Sequence, residues 1–351
     1  MQSLARSIAP ATLLTCLLNS TPASAQKLPH LDPVPVAPAL AELDFRVDPN
    51  PPLVIHSSGC IATFDLDASQ VVCIDPATGA THRFGRKGSG PGEFASADDL
   101  VQSPDGGLIA YEVLGNVRYT LISRDWTLGR IVRETHQFIG LYRPTRDSVL
   151  TIGGPQRRDL IAVSLKDGGT ATQFSPTAPD SALFTGPNEY DFFGFWLVPL
   201  HRGGWDVVSA YQYRILHEDD HGKLLSTFGR NVPRELHNER EVNAWKAIMQ
   251  RMNPNINLDR MIERFRKTPK GVIMPAPAED GQDRLWVVTG RARADSTEVD
   301  VFDPRGAFLG TRRIPGDVHA FRVQGADLYA LVEYLSGEHD GAQGVLHYRI
   351  R

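Results

Sequence analysis

The sequence predicts an all-β protein, a six-bladed β-propeller closed by an N-terminal strand, with a two-helix insertion between blades four and five. Three observations lead there. Short runs that alternate apolar and polar residues recur along the chain, the period-two signature of antiparallel strands. One Asp/Gly turn returns as DPATG, SRDWTLG, LKDGG, EDDHG and DPRG. The repeat length, about 40 to 50 residues, is that of propeller blades rather than solenoids.

The N-terminus reads as an export signal over residues 1–25. Arg6 is a minimal positive region, Ile8 to Leu18 a short apolar core, and Ala23-Ser24-Ala25 before Gln26 a small-x-small cleavage pattern. The expected location is the periplasm or the medium. The alternative is a lipoprotein signal at Cys16, against which Thr15 is a poor preceding residue. No later stretch approaches the ~18 apolar residues of a membrane span, so the mature chain is expected to be soluble and monomeric.

Residues 26–52 form a proline-rich leader expected to deliver one strand, Leu43 to Val47. Six units then fill 53–351, at about 53–86, 97–133, 136–175, 193–230, 271–314 and 317–351. Asp recurs in their turns because it bonds its own backbone, and Gly because it accepts positive φ. The last unit lacks a fourth strand after VLHYRIR, which DFRV of the leader would supply. Closure removes an exposed edge that would otherwise template aggregation. A seven-bladed ring or a two-domain β arrangement is the alternative.

Phe84 to Phe94, FGRKGSGPGEF, holds four glycines and a proline between two aromatic residues, so it is an exit loop between blades rather than a helix or strand. Together with the Asp75/Gly79 turn before it and the Pro104 to Gly107 turn after it, this segment resembles secreted bacterial six-bladed β-propellers related to NHL-repeat proteins. What the resemblance implies is a fold rather than an activity.

Only Cys60 and Cys73 survive signal cleavage, and an oxidising compartment invites a disulfide. With the hairpin turn at Asp67 to Gln70, however, Cys73 falls opposite Phe64 and the two cysteines lie about 13 Å apart. The register therefore argues against a bridge unless a bulge shifts the pairing.

Pro233 to Lys270 breaks the strand pattern. Leu236, Val242, Trp245, Ile248, Met249 and Met252 share one helical face, and Leu258, Met261, Ile262 and Phe265 another. Asn253-Pro254 separates them. The insertion (233–270) carries nine Lys/Arg against five Asp/Glu, in a chain with 37 basic and 41 acidic residues and net charge −4. That balance excludes bulk nucleic-acid binding. The hairpin is a structural cover or a lid over a site, and Trp245 is hairpin core or an aromatic wall of that site.

His217-Glu218-Asp219-Asp220-His221 matches H-E-x-x-H, but it sits in a strand-to-strand turn equivalent to DPATG, where the two imidazoles need not converge. There is no G-x-S-x-G elbow, C-x-x-C, P-loop or EF-hand pattern. In a propeller, the B-to-C and D-to-A loops share one face. Here they bring Arg86, Lys87, Arg157, Arg158, Tyr211, Tyr213, Arg230, Arg291 and Arg293. The opposite face collects Asp105, Asp125, Asp147, Asp167, Asp219, Asp220, Asp280 and Asp303, which turn chemistry alone explains.

Convergent guanidinium groups beside tyrosines suit a carboxylate, sulfate or phosphate, through bidentate bonds and stacking. The expectation is a binding module without catalysis or cofactor, taking an anionic small molecule, a glycan or an envelope protein on its basic face. The alternative is a lactonase- or lyase-like enzyme with a divalent cation, Ca or Zn, in the central channel. Its candidate ligands are His136, Glu93, His201, His319 and Glu333, which share no spacing.

Overall fold

The computed structural model describes residues 27–47, 51–113, 117–133, 139–153, 159–174, 195–209, 212–233, 235–252, 257–267, 275–292, 295–336 and 339–351. The segment expected to be an export signal, residues 1–25 with Cys16, lies outside them. β1 (Leu31–Val34) and the short α1 (Pro38–Ala41) precede the ring. Blade one is β2 (Val54–Ile55), β3 (Ile61–Asp65), β4 (Gln70–Ile74) and β5 (Thr81–Phe84). Blade two is β6 (Asp99–Gln102), β7 (Leu108–Glu112), β8 (Arg118–Ile122) and β9 (Leu128–Arg133). Blade three is β10 (Ile139–Tyr142), β11 (Ser148–Gly153), β12 (Asp159–Ser164) and β13 (Thr170–Phe174).

Blade four is β14 (Phe195–Pro199), β15 (Trp205–Ser209), β16 (Arg214–Glu218) and β17 (Leu224–Gly229). Next in the chain come α2 (Glu239–Met252) and α3 (Asp259–Lys267). Blade five is β18 (Ala278–Glu279), β19 (Leu285–Ala292), β20 (Ser296–Phe302) and β21 (Phe308–Pro315); blade six is β22 (Asp317–Gln324), β23 (Asp327–Glu333) and β24 (Gln343–Ile350), with β1 as its fourth strand. All six sheets are four-stranded and antiparallel; five are meanders, and the sixth takes β1 from the start of the chain.

Six apolar clusters hold the ring, each at a seam between consecutive blades. Blade six packs on blade five through Trp286, Val288, Phe321 and Leu328, and blade four on blade five through Trp196, Ile215, Val287 and Phe302. Each blade thus buries its faces only against its neighbours, as a repeat architecture requires. The first strand of each blade is innermost: β2 neighbours β6, β6 neighbours β10, β14 neighbours β18, β18 neighbours β22, and β22 returns to β2. These innermost strands surround the central lumen.

Closure is N-terminal as expected, but through a different segment. Leu31–Val34 pairs with β24, Leu31 opposite Ile350 and Val34 opposite His347. Pro33 is tolerated because this is an outer edge strand. Leu43, Phe45 and Val47 do alternate inward, yet they plug the seam between blades six and one, beside Ile61, Val72, Leu331 and Val345. Their polar anchor is Gln343, whose carbonyl accepts from the Leu43 amide at 2.7 Å and whose Oε1 accepts from the Val47 amide at 2.9 Å.

Cys60 and Cys73 are bridged, with Cα atoms 5.6 Å apart, which corrects the register argument. The β3–β4 turn is Leu66 to Ser69, so Cys73 pairs with Ala62 rather than Phe64. Cys60 is then the diagonal neighbour of Cys73, within disulfide reach.

The loop from Phe84 to Phe94 is ordered by one buried guanidinium. Arg118 donates Nε to Glu112 Oε2 at 2.5 Å, Nη1 to the carbonyls of Ser89 and Gly90 at 2.9 and 3.2 Å, and Nη2 to the carbonyl of Glu93. Gly85 has φ +95°, and a Cβ there would collide with the Phe94 ring. Phe94 itself is fully buried at the seam of blades one and two. Loop composition therefore answers to packing here.

Candidate functional site

The described basic residues of the expected site are mostly engaged with carboxylates. Exposed Arg86 pairs with Glu93 at 2.8 Å, and Lys87 is exposed beside it. Tyr213 is buried and donates its hydroxyl to Asp300 Oδ2 at 2.5 Å. Arg230 donates to the same oxygen at 2.6 Å while stacking over Phe308 at 4.1 Å. Asp300 is fully buried and also accepts from Thr311 Oγ1 at 2.6 Å, so Tyr213 and Arg230 belong to a closed network within the ring. Arg291 approaches Glu298 at 3.4 Å. Arg157, Arg158, Tyr211 and Arg293 lie outside the described residues.

A different group converges in the lumen. Asp99 opens β6 in blade two, Tyr142 ends β10 in blade three, and Arg322 lies on β22 in blade six. The Leu141 amide donates to Asp99 Oδ2 at 2.7 Å, tying two innermost strands together. Burial pushes the Asp99 carboxyl up to about 6, against the opposing pull of Arg322 and of the Leu141 and Leu100 amides. Burial, and then the Asp99 charge, also raise the Tyr142 phenol, which Arg322 and the Leu197 backbone partly offset. The Tyr142 ring leans edge-on against Trp205, centroids 6.2 Å apart.

Arg322 donates Nη1 to the carbonyl of its neighbour Phe321 at 3.0 Å and, among the described residues, has no carboxylate within ion-pair distance. A carboxyl that titrates near neutrality, a phenol and a guanidinium without an ion-pair partner thus share the lumen. Together they can accept a hydroxyl proton, donate a hydrogen bond and bind an anionic group.

Near one end of the lumen, His319 Nε2 on β22 lies 3.3 Å from Glu333 Oε2, and Arg240 of α2 donates to Glu333 Oε1. These contacts, His319 foremost, hold the Glu333 carboxyl below the usual range. They anchor α2 to blade six although it follows blade four in the chain. Trp245 stacks on Phe265 of α3 at 4.8 Å, and Phe265 on His237 at 3.8 Å, which makes Trp245 part of the hairpin's own packing.

The opposite face carries a second cluster, between blades four and five. His201, in the β14–β15 turn, places Nδ1 3.2 Å from Glu279 Oε2 and 3.7 Å from Asp283 Oδ1. The His201 amide also donates to Glu279 Oε2 at 2.6 Å. Burial raises the Glu279 carboxyl, and neighbouring Asp283 and Asp206 add to the rise. Asp206 is itself raised by burial while its partner His217 lies 2.9 Å away. Of the two motif histidines, His217 is therefore directed at Asp206 across the β15–β16 register, and His221 is exposed in the following turn.

Of the channel-metal candidates, Glu93 pairs with Arg86, His319 with Glu333, and His201 with Glu279 and Asp283; they are not brought to one centre. His136 lies outside the described residues. Sequence reasoning missed Asp99, Tyr142 and Arg322. The available signal was a charged residue beside apolar ones in an inner strand, Asp99 in DLVQ and Arg322 in HAFRV, and these meet Tyr142 only once the ring has closed.

No family model matches the chain, and no curated protein does. Solved structures match in shape. A member of the DUF4221 family from Bacteroides vulgatus superposes with TM-score 0.57 at 10% identity, over 93% of this chain and 99% of that one. A protein of unknown function from Bacteroides thetaiotaomicron gives 0.53 at 9% identity, over 93% and 77%. A streptogramin B lyase gives 0.52 at 10% identity, over 92% and 98%. Among the described residues no helix is long and apolar enough to cross a membrane. At these identities the likeness speaks for fold alone: the chain is a six-bladed β-propeller.

Proposed function

We propose that this chain is an exported propeller that binds a small anionic ligand in its lumen, with Arg322 as the anchor of the anionic group. The observation that supports this is that Arg322 lies near enough to Asp99 and Tyr142 to act on both electrostatically, while among the described residues no carboxylate comes within ion-pair distance of it. A buried or half-buried cation without a partner is costly, and a ligand carboxylate restores the missing bidentate bonds. Asp99 then accepts from a ligand hydroxyl and Tyr142 orients the ring or chain. The chemical class is a hydroxylated carboxylate, such as a uronic acid or a hydroxy-dicarboxylate. The α2–α3 hairpin, held by Arg240 on Glu333, would border the entrance.

The test is a thermal-shift titration of the purified chain with glucuronate and malate. A ligand that prefers the folded state raises the melting temperature by mass action. The rise should vanish in Arg322→Met and survive in Arg230→Ala. Retention of the full shift in Arg322→Met would refute the lumen as the site.

A second reading is catalytic. A carboxyl titrating at about 6 is suited to take a proton at neutral pH, the requirement of a lyase-type step. In that case Asp99→Asn would keep ligand binding and abolish product formation, followed by NMR of the incubated ligand.

A further inference from the structure

We propose that His201, Glu279 and Asp283 form a binding site for a divalent transition cation on the face opposite the helical insertion. The lumen site does not enter this argument. An imidazole and two carboxylates present one ligand atom each within 4.8 Å of one another. Ligands about 2.0–2.2 Å from a tetrahedral zinc ion sit about 3.4 Å from each other. The His201 Nδ1 separations of 3.2 Å to Glu279 and 3.7 Å to Asp283 bracket that edge length.

An independent feature points to a missing partner. The Glu279 side chain is 3% exposed, and while its Oε2 is engaged by His201, its Oε1 is buried without any hydrogen-bond partner. A carboxylate oxygen left so in a protein interior is strongly unfavourable, and a cation bound by the same carboxyl group would satisfy it. His201 and Asp283 are 59% and 39% exposed, so the site is open to entry and leaves coordination positions for water. The imidazole selects against calcium and magnesium, which prefer all-oxygen shells, and for zinc, copper or nickel.

The turns of the other blades show what is unusual about Asp283. In blades one, two and four the equivalent position, whose amide closes the turn three residues back, is Gly59, Gly106 or Gly203, with φ of 88–89°. In blade five it is Asp283, at φ +57°. A carboxylate therefore stands where the turn itself favours glycine. This also supplies a clean variant, because Asp283→Gly suits the backbone while deleting a ligand.

The experiment is zinc titration of the metal-free full chain, read by melting temperature and by calorimetric affinity, with magnesium and calcium in parallel. The expected result is stabilisation by zinc that exceeds any from magnesium or calcium. Asp283→Gly and His201→Ala should each weaken binding by more than the roughly 10–100-fold typical of losing an outer-shell partner. His221→Ala, at the exposed turn, and Arg322→Met, in the lumen, should leave it unchanged. No zinc response in the wild type, or an undiminished one in Asp283→Gly, would overturn the proposal. A response lost only in His221→Ala would do the same.

Discussion

The Leu141 amide donates to Asp99 Oδ2 at 2.7 Å across the gap between two blades, so the lumen carboxyl is also a tie between innermost strands. Asp99 titrates at about 6 in the folded chain against an ordinary 3.8. The unfolded chain releases this proton more readily, so stability is highest below about pH 4 and falls as pH rises to about 6, by up to about 3 kcal/mol from this group. Above that it is level. Denaturant melts at pH 4, 5, 6 and 7 should show this fall in the wild type and a flatter profile in Asp99→Asn.

Reducing the Cys60–Cys73 bridge should destabilise the ring by about 3 kcal/mol, the loop-closure value for a separation of 13 residues. The Cys60→Ala/Cys73→Ala double variant should match the reduced wild type. Melts with and without reductant measure both.

Breaking the buried pair at the exit loop should be more costly. Arg118→Met leaves the fully buried Glu112 without its cation, with only the Ala95 amide donating to it, and frees three carbonyls of the loop. A loss of roughly 3–5 kcal/mol is expected, with new protease cleavage between Arg86 and Glu93. Cleavage elsewhere would show that the guanidinium does not order this loop.

Removing residues 27–34 deletes the fourth strand of blade six and bares the edge of β24. The truncated chain should melt earlier and self-associate in size-exclusion chromatography, since an open edge invites strand addition. Replacing Leu43, Phe45 and Val47 by polar residues should instead open the seam between blades six and one.

How far the sequence reaches follows from the range of each interaction. The Asp/Gly turns are local chemistry, and the strand pairs they join are those of the structure, from Asp75–Gly79 in blade one to Asp303–Gly306 in blade five. Closing strand and disulfide depend on register. A one-residue shift of the turn, from Asp67–Gln70 to Leu66–Ser69, moves the pairing by two and decides whether Cys60 reaches Cys73, and Pro33 disguises Leu31–Val34 as leader. The charges of the outer loops were visible, but not that Asp300 would bury itself under Tyr213 and Arg230, some 70 to 87 residues away. Asp99 and Arg322 are 223 residues apart in the chain, and no local pattern links them.

The α2 anchor gives another readout. Glu333 is held below its ordinary 4.5 by His319 and then Arg240, so the contact is present above that value and lost as pH falls through the depressed one. Arg240→Ala should therefore raise hydrogen exchange in α2 at neutral pH toward the level the wild type reaches in acid, leaving blade six protected.

The measurement that bears most directly on the lumen site is calorimetric titration of glucuronate into the wild type, Arg322→Met and Arg86→Ala/Lys87→Ala. The account predicts saturable binding by the wild type and the outer-loop variant, and none by Arg322→Met. Binding by Arg322→Met at wild-type affinity, or its loss in the outer-loop variant alone, would contradict it and return the anion site to the basic face.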